Sequence, residues 1–168
     1  MYDELTKVDI EKMKAELEDR RLNIRPKIME DVKTARAFGD LSENYEYKAA
    51  KEAQRRNDSR MRYLERMIAT AKVVDVKKPA ADTIGLFSTV TMYNEKLGRE
   101  QTIRIVTTLR QDALKGLVSK ESPVARALMG HRAGDRVEIA VNPEMKYAVE
   151  ILSVESGEDD ASLDISSY

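Results

Sequence analysis

Apolar residues in the first 75 positions recur at helical spacing. A first set lies within an arc of about 100° on a helical wheel, which predicts a helix over residues 8–36. Its members are Ile10, Met13, Leu17, Ile24, Ile28, Val32 and Ala35. Pro26 lies inside this helix, and we expect it to kink the helix or leave one carbonyl unpaired. A second helix is predicted from Leu41 or Ser42 to Val74. The short turn that contains Gly39 joins the two helices, so the pattern predicts an antiparallel α-helical coiled-coil hairpin.

The second half of the chain alternates apolar and polar residues with a period of two, which is typical of strands. The predicted strands cover residues 87–93, 102–107 and 136–141, with a return strand through residues 147–151. Between them, Ser122 and Pro123 occupy the N-cap and first positions of a short helix, and Gly130 follows its end. A small antiparallel sheet with one helix places the whole chain in the α+β class.

Glycine and proline mark the domain organisation. Six of the seven glycines and three of the four prolines lie after residue 75, so the two halves should differ in architecture. We predict a coiled-coil hairpin over residues 1–75, a linker over residues 76–82 and a globular domain over residues 83–155. The acidic, polar tail over residues 156–168 is predicted to be disordered.

Composition excludes several kinds of chemistry. The chain has no cysteine and one histidine, His131, which excludes thiol catalysis, cysteine zinc sites and histidine-rich metal clusters. The 29 basic and 30 acidic residues give a net charge of −1, so the chain is not a whole-surface nucleic-acid binder. It contains neither an 18-residue apolar run nor a secretory signal. We therefore expect a cytoplasmic protein with no membrane partner.

The charges segregate within the hairpin. The turn reads GDLSENYEY from Gly39 and carries carboxylates at Asp40, Glu43 and Glu46. At the end of a long hairpin these groups are exposed, so they can act only by entering another molecule. Carboxylates are ligands for Mg²⁺ and can orient or deprotonate a water molecule. The alternative is structural: Asp40 would cap the second helix and Glu43 would complete a capping box. The two interpretations are compatible.

A basic stripe begins beside the acidic turn. Residues 48–72 hold eight basic and three acidic residues, a net charge of +5. Five of the cations fall within about 60° on the helical wheel, and they are Lys48, Lys51, Arg55, Arg62 and Arg66. Such a stripe is suited to a phosphate backbone. An ordinary solvated helix face is the equally weighted alternative.

Two stretches resemble a known family. The sequence GDLSENYEYKAAKEAQ (residues 39–54), together with residues 25–36, is similar to the N-terminal coiled coil of the bacterial Gre transcript cleavage factors, and most similar to the GreA branch. The sequence SPVARALMGHRAGDRVEI (residues 122–139) is similar to the C-terminal domain of that family. The resemblance implies a coiled-coil hairpin followed by an FKBP-like antiparallel β-sheet domain without prolyl isomerase activity.

The resemblance also implies a mechanism. The globular domain would dock on bacterial RNA polymerase, and the hairpin would enter the secondary channel to reach the RNA 3′ end of a backtracked complex. Asp40 would help hold an Mg²⁺ ion shared with the polymerase, and Glu43 would position the attacking water. The chain would then be a monomeric accessory factor that binds no cofactor alone and is not itself a nuclease.

The remaining expected site residues fall into three groups. Support for the turn is expected from Gly39, Leu41, Ser42, Asn44 and Tyr47. Contact with the extruded RNA is expected from the basic stripe. Docking on the polymerase is expected from Ser122, Pro123, Arg126 and Gly130.

Two other functions remain as alternatives. One is a Gre-like inhibitor that blocks the polymerase channel without stimulating cleavage, although the intact Asp40 and Glu43 pair argues against it. The other is a coiled-coil scaffold or adaptor with no polymerase contact, for which the acidic turn would be dispensable.

Overall fold

The helical pattern of the first half produces two helical limbs. The computed structural model describes residues 3–39, 43–77, 80 and 82–166 and divides into a helical unit (residues 10–71) and a sheet unit (residues 3–9 and 72–166). The first limb consists of α1 (Lys7–Asp19), a π-helical segment (Arg20–Ile24) and α2 (Arg25–Arg36), and the second limb is α3 (Tyr45–Thr70). The predicted helical hairpin is confirmed.

Polar bonds between the limbs establish their antiparallel pairing. Arg60 of α3 binds Glu16 of α1, and nearer the turn the Asn44 amide donates to the carbonyl of Ala35 at 2.7 Å. The buried apolar side chains of the hairpin are Met13, Val32, Ala35, Met61, Leu64 and Met67. Ala49 and Ala53, two apolar residues of α3, are exposed rather than buried between the limbs. Alanine side chains at these positions are too short to close the space between the limbs, and a groove of about 450 Å³ remains there.

The sheet unit contains two sheets. A two-stranded parallel pair joins β1 (Glu4–Leu5) to β2 (Lys72–Val73). The main sheet has five strands, which are β3 (Thr89–Asn94), β4 (Arg99–Val106), β5 (Leu117–Ser119), β6 (Arg136–Ala140) and β7 (Lys146–Glu155). Their order is β5-β4-β3-β7-β6. Four strands pair antiparallel as expected, but β5 pairs parallel with β4, so the sheet is mixed rather than wholly antiparallel.

The short helix α4 (Pro123–Leu128) forms as its end signals predict. The hydroxyl of Ser122 accepts the amide N–H of Ala125 at 3.1 Å, which caps the helix. Gly130 follows its end with a φ of +82°, a conformation that favours glycine. Leu128 of this helix is fully buried and belongs to the main core of the sheet unit. The core side chains from the strands are Val90, Met92, Ile105, Val137, Ile139, Val149 and Ile151.

The acidic tail departs from its expected disorder in the described part. Residues 156–166 have no regular secondary structure, but they make defined contacts with the sheet unit. Asp159 and Asp160 bind arginines, and Ser166 donates to the carbonyl of Leu109 at 2.8 Å. Carboxylates that find buried or half-buried arginine partners gain an interaction that composition alone does not reveal.

Candidate functional site

The turn of the hairpin is organised by Asn44. Its backbone is extended, and its side-chain Oδ1 accepts the N–H of Tyr47 at 3.0 Å. Asn44 is therefore the N-cap of α3, which begins at Tyr45 and not at Leu41 or Ser42 as expected. The amide of Asn44 binds the first limb at the same time. One side chain thus caps one helix and ties it to the other, a role that Asp40 could not fill because a carboxylate lacks the donor.

The expected catalytic residues lie at this turn. Glu43 is described and exposed, immediately before the capping residue Asn44. Asp40, Leu41 and Ser42 lie outside the described residues. Gly39 is exposed with a φ of +108°, and a Cβ placed on it would meet no atom within 4 Å. Glycine is favoured here by the backbone conformation rather than by packing.

Aromatic rings and cations surround the start of α3. The guanidinium of Arg36 lies 5.7 Å from the ring centroid of Tyr47, and its hydrogen bond lowers the pKa of the Tyr47 phenol. Tyr45 is 81% exposed, and the ammonium of Lys48 lies 5.5 Å from its ring centroid. The side chain of Tyr47 therefore supports the turn, while Tyr45 leaves one aromatic ring open to solvent.

Two cations of the basic stripe have polar partners on the same helix. Lys48, Arg55, Arg62 and Arg66 are exposed and Lys51 is half-buried. Arg55 lies 3.7 Å from Glu52, while the ammonium of Lys51 donates to Gln54 at 2.9 Å. Exposed pairs of this kind are worth little energetically and exchange readily for another partner. The stripe therefore keeps cations available to an incoming polyanion.

A buried polar layer was missed by the sequence analysis. The side chain of Arg60 is 7% exposed and binds both oxygens of Glu16, at 2.8 and 3.0 Å. Arg20 donates to Glu16 at 2.8 Å and to Asn57 at 3.0 Å, so four polar side chains form one network. The signal was present in the heptad spacing, because Asn57 lies seven residues from both Ala50 and Leu64 on the apolar face.

The expected docking residues lie on and beside α4. Ser122 and Gly130 shape the two ends of this helix, and Pro123 is exposed at its first position. Arg126 is 62% exposed and binds Glu121 at 2.7 Å. These four residues share one short element of the sheet unit, which is consistent with a single surface.

The described residues hold no group of three or more acidic or histidine side chains placed to bind a metal ion. Glu43 offers one exposed carboxylate, and such a group completes a magnesium site only when other ligands come from a partner. In the part of the chain covered by the structure, no helix is both long and apolar enough to cross a membrane.

Fold and site together define a class of protein: a helical hairpin with charged residues at its turn, joined to an α+β sheet unit. Comparison with known proteins makes the assignment specific. The model for the N-terminal domain of transcription elongation factors matches residues 4–73, and the model for the GreA/GreB C-terminal domain matches residues 78–156. The chain belongs to the GreA/GreB family of transcription elongation factors.

Individual relatives agree with this assignment. Transcription elongation factor GreA of Brucella anthropi is 44% identical over 135 residues, which cover 80% of this chain and 86% of that protein. GreA of Chelativorans sp. is 42% identical over 153 residues, covering 91% and 97% respectively. Among solved structures, Gfh1 of Thermus thermophilus is 23% identical, with 92% of this chain and 99% of that chain covered and a TM-score of 0.42. The family assignment does not depend on this last likeness.

Proposed function

We propose that this protein acts on bacterial RNA polymerase in the cytoplasm and stimulates the polymerase's own Mg²⁺-dependent cleavage of backtracked transcripts. The hairpin enters the secondary channel and brings its turn to the active site. The observation that carries the proposal is the exposed carboxylate of Glu43, held beside the Asn44 cap at the turn of a helical hairpin. A carboxylate with no pocket around it needs a partner to supply the rest of a site.

Each residue of the turn has a defined task in this proposal. Asn44 fixes the backbone on both sides of the turn, so Glu43 is presented in a restricted orientation. Glu43 orients the attacking water and accepts its proton. Asp40 supplies one carboxylate oxygen toward the Mg²⁺ site shared with the polymerase. When bound there, the ion supplies activation of the water and stabilisation of the leaving oxygen.

The basic stripe and α4 supply binding rather than chemistry. The exposed cations Lys48, Arg55, Arg62 and Arg66 face a phosphate backbone such as the RNA extruded during backtracking. Ser122, Pro123, Arg126 and Gly130 form the surface that docks on the rim of the channel. The protein is then an accessory factor, and the polymerase performs the hydrolysis.

The test uses a stalled, backtracked RNA polymerase complex with Mg²⁺. We expect the full chain to release short 3′ RNA fragments faster than the polymerase alone. The double variant Asp40→Ala with Glu43→Ala should lose at least tenfold of this stimulation. Glu11→Ala with Glu18→Ala removes two exposed carboxylates from α1 and should leave it intact.

Three results would overturn the proposal. The first is the absence of fragments above the polymerase-only level. The second is full activity of the Asp40 and Glu43 double variant. The third is inhibition of nucleotide addition without fragment release, which would identify a channel-blocking inhibitor instead.

A further inference from the structure

The chain continues past the end of β7 in a segment that packs on the sheet unit. We call residues 156–166 the strap. The family model ends at residue 156, so nearly the whole strap lies beyond the matched region. The strap has no regular secondary structure, yet it makes polar and apolar contacts along its length. The contacts of residues 157–160 converge on three residues, Phe87, Arg104 and Arg110, which we call the seat.

The seat is an aromatic ring in contact with two cations. Phe87 is fully buried, and the guanidinium carbons of Arg110 and Arg104 lie 4.8 and 5.9 Å from its ring centroid. The side chain of Arg110 is 0% exposed, whereas that of Arg104 is 24% exposed. A fully buried guanidinium must be paired with anions and hydrogen-bond acceptors to be tolerated. The seat therefore needs acidic partners.

The strap supplies those partners. Asp159 binds Arg110 at 2.5 Å, and the backbone carbonyl of Asp160 accepts from the same guanidinium at 3.0 Å. Arg104 donates to the carbonyl of Glu158 at 3.1 Å and lies 3.5 Å from the carboxylate of Asp160. Three consecutive strap residues thus engage both arginines through side chains and backbone.

Steric fit makes the contact selective for glycine. A Cβ placed on Gly157 would lie 2.1 Å from the carbonyl oxygen of Phe87 and 3.1 Å from its carbonyl carbon. No side chain can occupy that space while the strap is seated. The φ of Gly157 lies outside the left-handed region, so the backbone conformation itself would not strain an alanine. The requirement for glycine therefore comes from the close approach of the seated strap to Phe87.

The far end of the strap is anchored separately. Leu163 packs against a small apolar cluster formed by Phe87, Val106 and Leu117. The amide N–H and hydroxyl of Ser166 both donate to the carbonyl of Leu109, at 2.7 and 2.8 Å. The strap is therefore held at the seat and at its far end.

The seat also reaches the start of the first helix. Arg110 pairs with Asp9 at 2.7 Å, and its Nη2 donates to the Thr6 hydroxyl at 3.1 Å. Thr6 and Asp9 cap α1 reciprocally, with the N–H of Thr6 donating to Asp9 at 3.0 Å. The Arg110–Asp9 contact is an ion pair without an aligned hydrogen bond, so Asp159 completes the pairing of Arg110.

We propose that Phe87, Arg104 and Arg110 form a binding site for an acidic, glycine-containing peptide, and that the strap is its intramolecular ligand. The seated strap closes over Arg110 and holds the capping residues Thr6 and Asp9 against the rest of the sheet unit, to which they belong. This device is independent of the chemistry proposed for the hairpin turn.

Hydrogen–deuterium exchange on the full chain tests the proposal. In the native protein, the strap amides of Ser162, Leu163 and Ser166 donate hydrogen bonds and should exchange at least tenfold more slowly than those of an unstructured peptide of the same sequence. Gly157→Ala should remove this protection and also speed exchange at residues 6–9, while residues 45–70 stay unchanged. Asp159→Asn should give a smaller change in the same direction.

Matched controls separate seating from general effects. Ser156→Ala alters the exposed neighbouring position, and Glu144→Gln removes one carboxylate from an exposed turn. Both should exchange as the native protein does. The proposal is overturned if the native strap exchanges at the rate of the free peptide, or if Gly157→Ala leaves its protection unchanged.

Discussion

Asn44 shows how one side chain can determine the geometry of a turn. Its amide oxygen caps α3 and its amide nitrogen bonds to the carbonyl of Ala35 on the other limb. Capping of this kind can be partly predicted from a sequence, since asparagine is a favoured capping residue. Asp40, four residues earlier, fits the same preference equally well. Only the structure shows that Asn44 caps α3.

Two substitutions at Asn44 should separate its roles. Asn44→Ala removes the cap and the bond between limbs, and should lower the free energy of unfolding by about 1–2 kcal/mol. Asn44→Asp keeps the capping oxygen and loses only the donor, so its effect should be smaller. Thermal and urea unfolding followed by far-ultraviolet circular dichroism measures both. Equal destabilisation by the two variants would contradict the two-part role.

Glu16 should make the hairpin sensitive to acid. Partial burial raises its pKa, but hydrogen bonds from Arg60 and Arg20 outweigh that effect and hold the pKa below its ordinary value of 4.5. The unfolded state then binds a proton more readily than the folded state. The stabilisation is complete above about pH 4.5 and is lost as the pH falls through the lowered pKa.

The variant Glu16→Gln tests this linkage. At pH 7 it should be less stable than the native protein by about 1–2 kcal/mol, because two charge-assisted hydrogen bonds are weakened. The difference should shrink as the pH falls below 4.5. Glu18→Gln removes an exposed carboxylate from the same helix and should shift unfolding little at any pH. A difference that is constant from pH 7 to pH 3 would contradict the assignment.

At the scale of elements, the π-helical segment keeps the inward-facing residues of the two parts of the first limb on the same side. Arg20 faces Asn57, and Val32 is buried. On an ideal α-helix, Arg20 and Val32 would point about 120° apart. The π-helical turn accommodates one extra residue, which reduces this angle to about 20°. The N–H of Arg25 bonds to the carbonyl of Arg20, five residues earlier. Pro26, which has no N–H, follows this widened turn immediately.

Single-residue deletions distinguish this explanation from simple flexibility. Deleting Leu22, which is 61% exposed, should convert the segment to α-helix and keep both parts of the limb in phase. We expect a loss of less than about 1 kcal/mol. Deleting Glu30, within α2, rotates the turn-side residues by about 100° and should cost several-fold more. Chemical denaturation of the two deletions gives the comparison, and similar losses would refute the phase argument.

At the scale of the whole chain, prediction from sequence succeeded where neighbours decide the structure. The α4 helix has Ser122, Pro123 and Gly130 at its ends, and each acts within a few residues. The parallel strand β5, the strap and the seat depend on distant partners: Arg110 meets Thr6 across 104 positions. The helical period also could not reveal the π segment, since the same apolar residues fit one broad stripe without it. Among the site residues, the exposed position of Glu43 was expected, whereas the buried network around Arg60 was not.

Arg110 should be the most sensitive position of the sheet unit. Arg110→Met leaves the buried carboxylate of Asp9 and the mostly buried one of Asp159 without their cation, which should cost roughly 3–5 kcal/mol. Arg99→Met, at an exposed strand position, should change stability by less than about 0.5 kcal/mol. Urea unfolding measures both. Near-native stability of Arg110→Met would show that the pairing of Arg110 with Asp9 and Asp159 contributes little to stability.

The contacts that Arg110 makes with Thr6, Asp9 and Asp159 also have a mechanical consequence. One nitrogen of its guanidinium contacts both Thr6 and Asp159, so the chain forms a noncovalently closed loop between these positions. Force applied at residues 3 and 166 would therefore load the Arg110 contacts in shear, together with the β1–β2 pair, before it reached the helical unit between residues 10 and 71. In an optical trap the first rupture should release the strap and the start of α1 together. The hairpin would extend only afterwards, as a second, separate event.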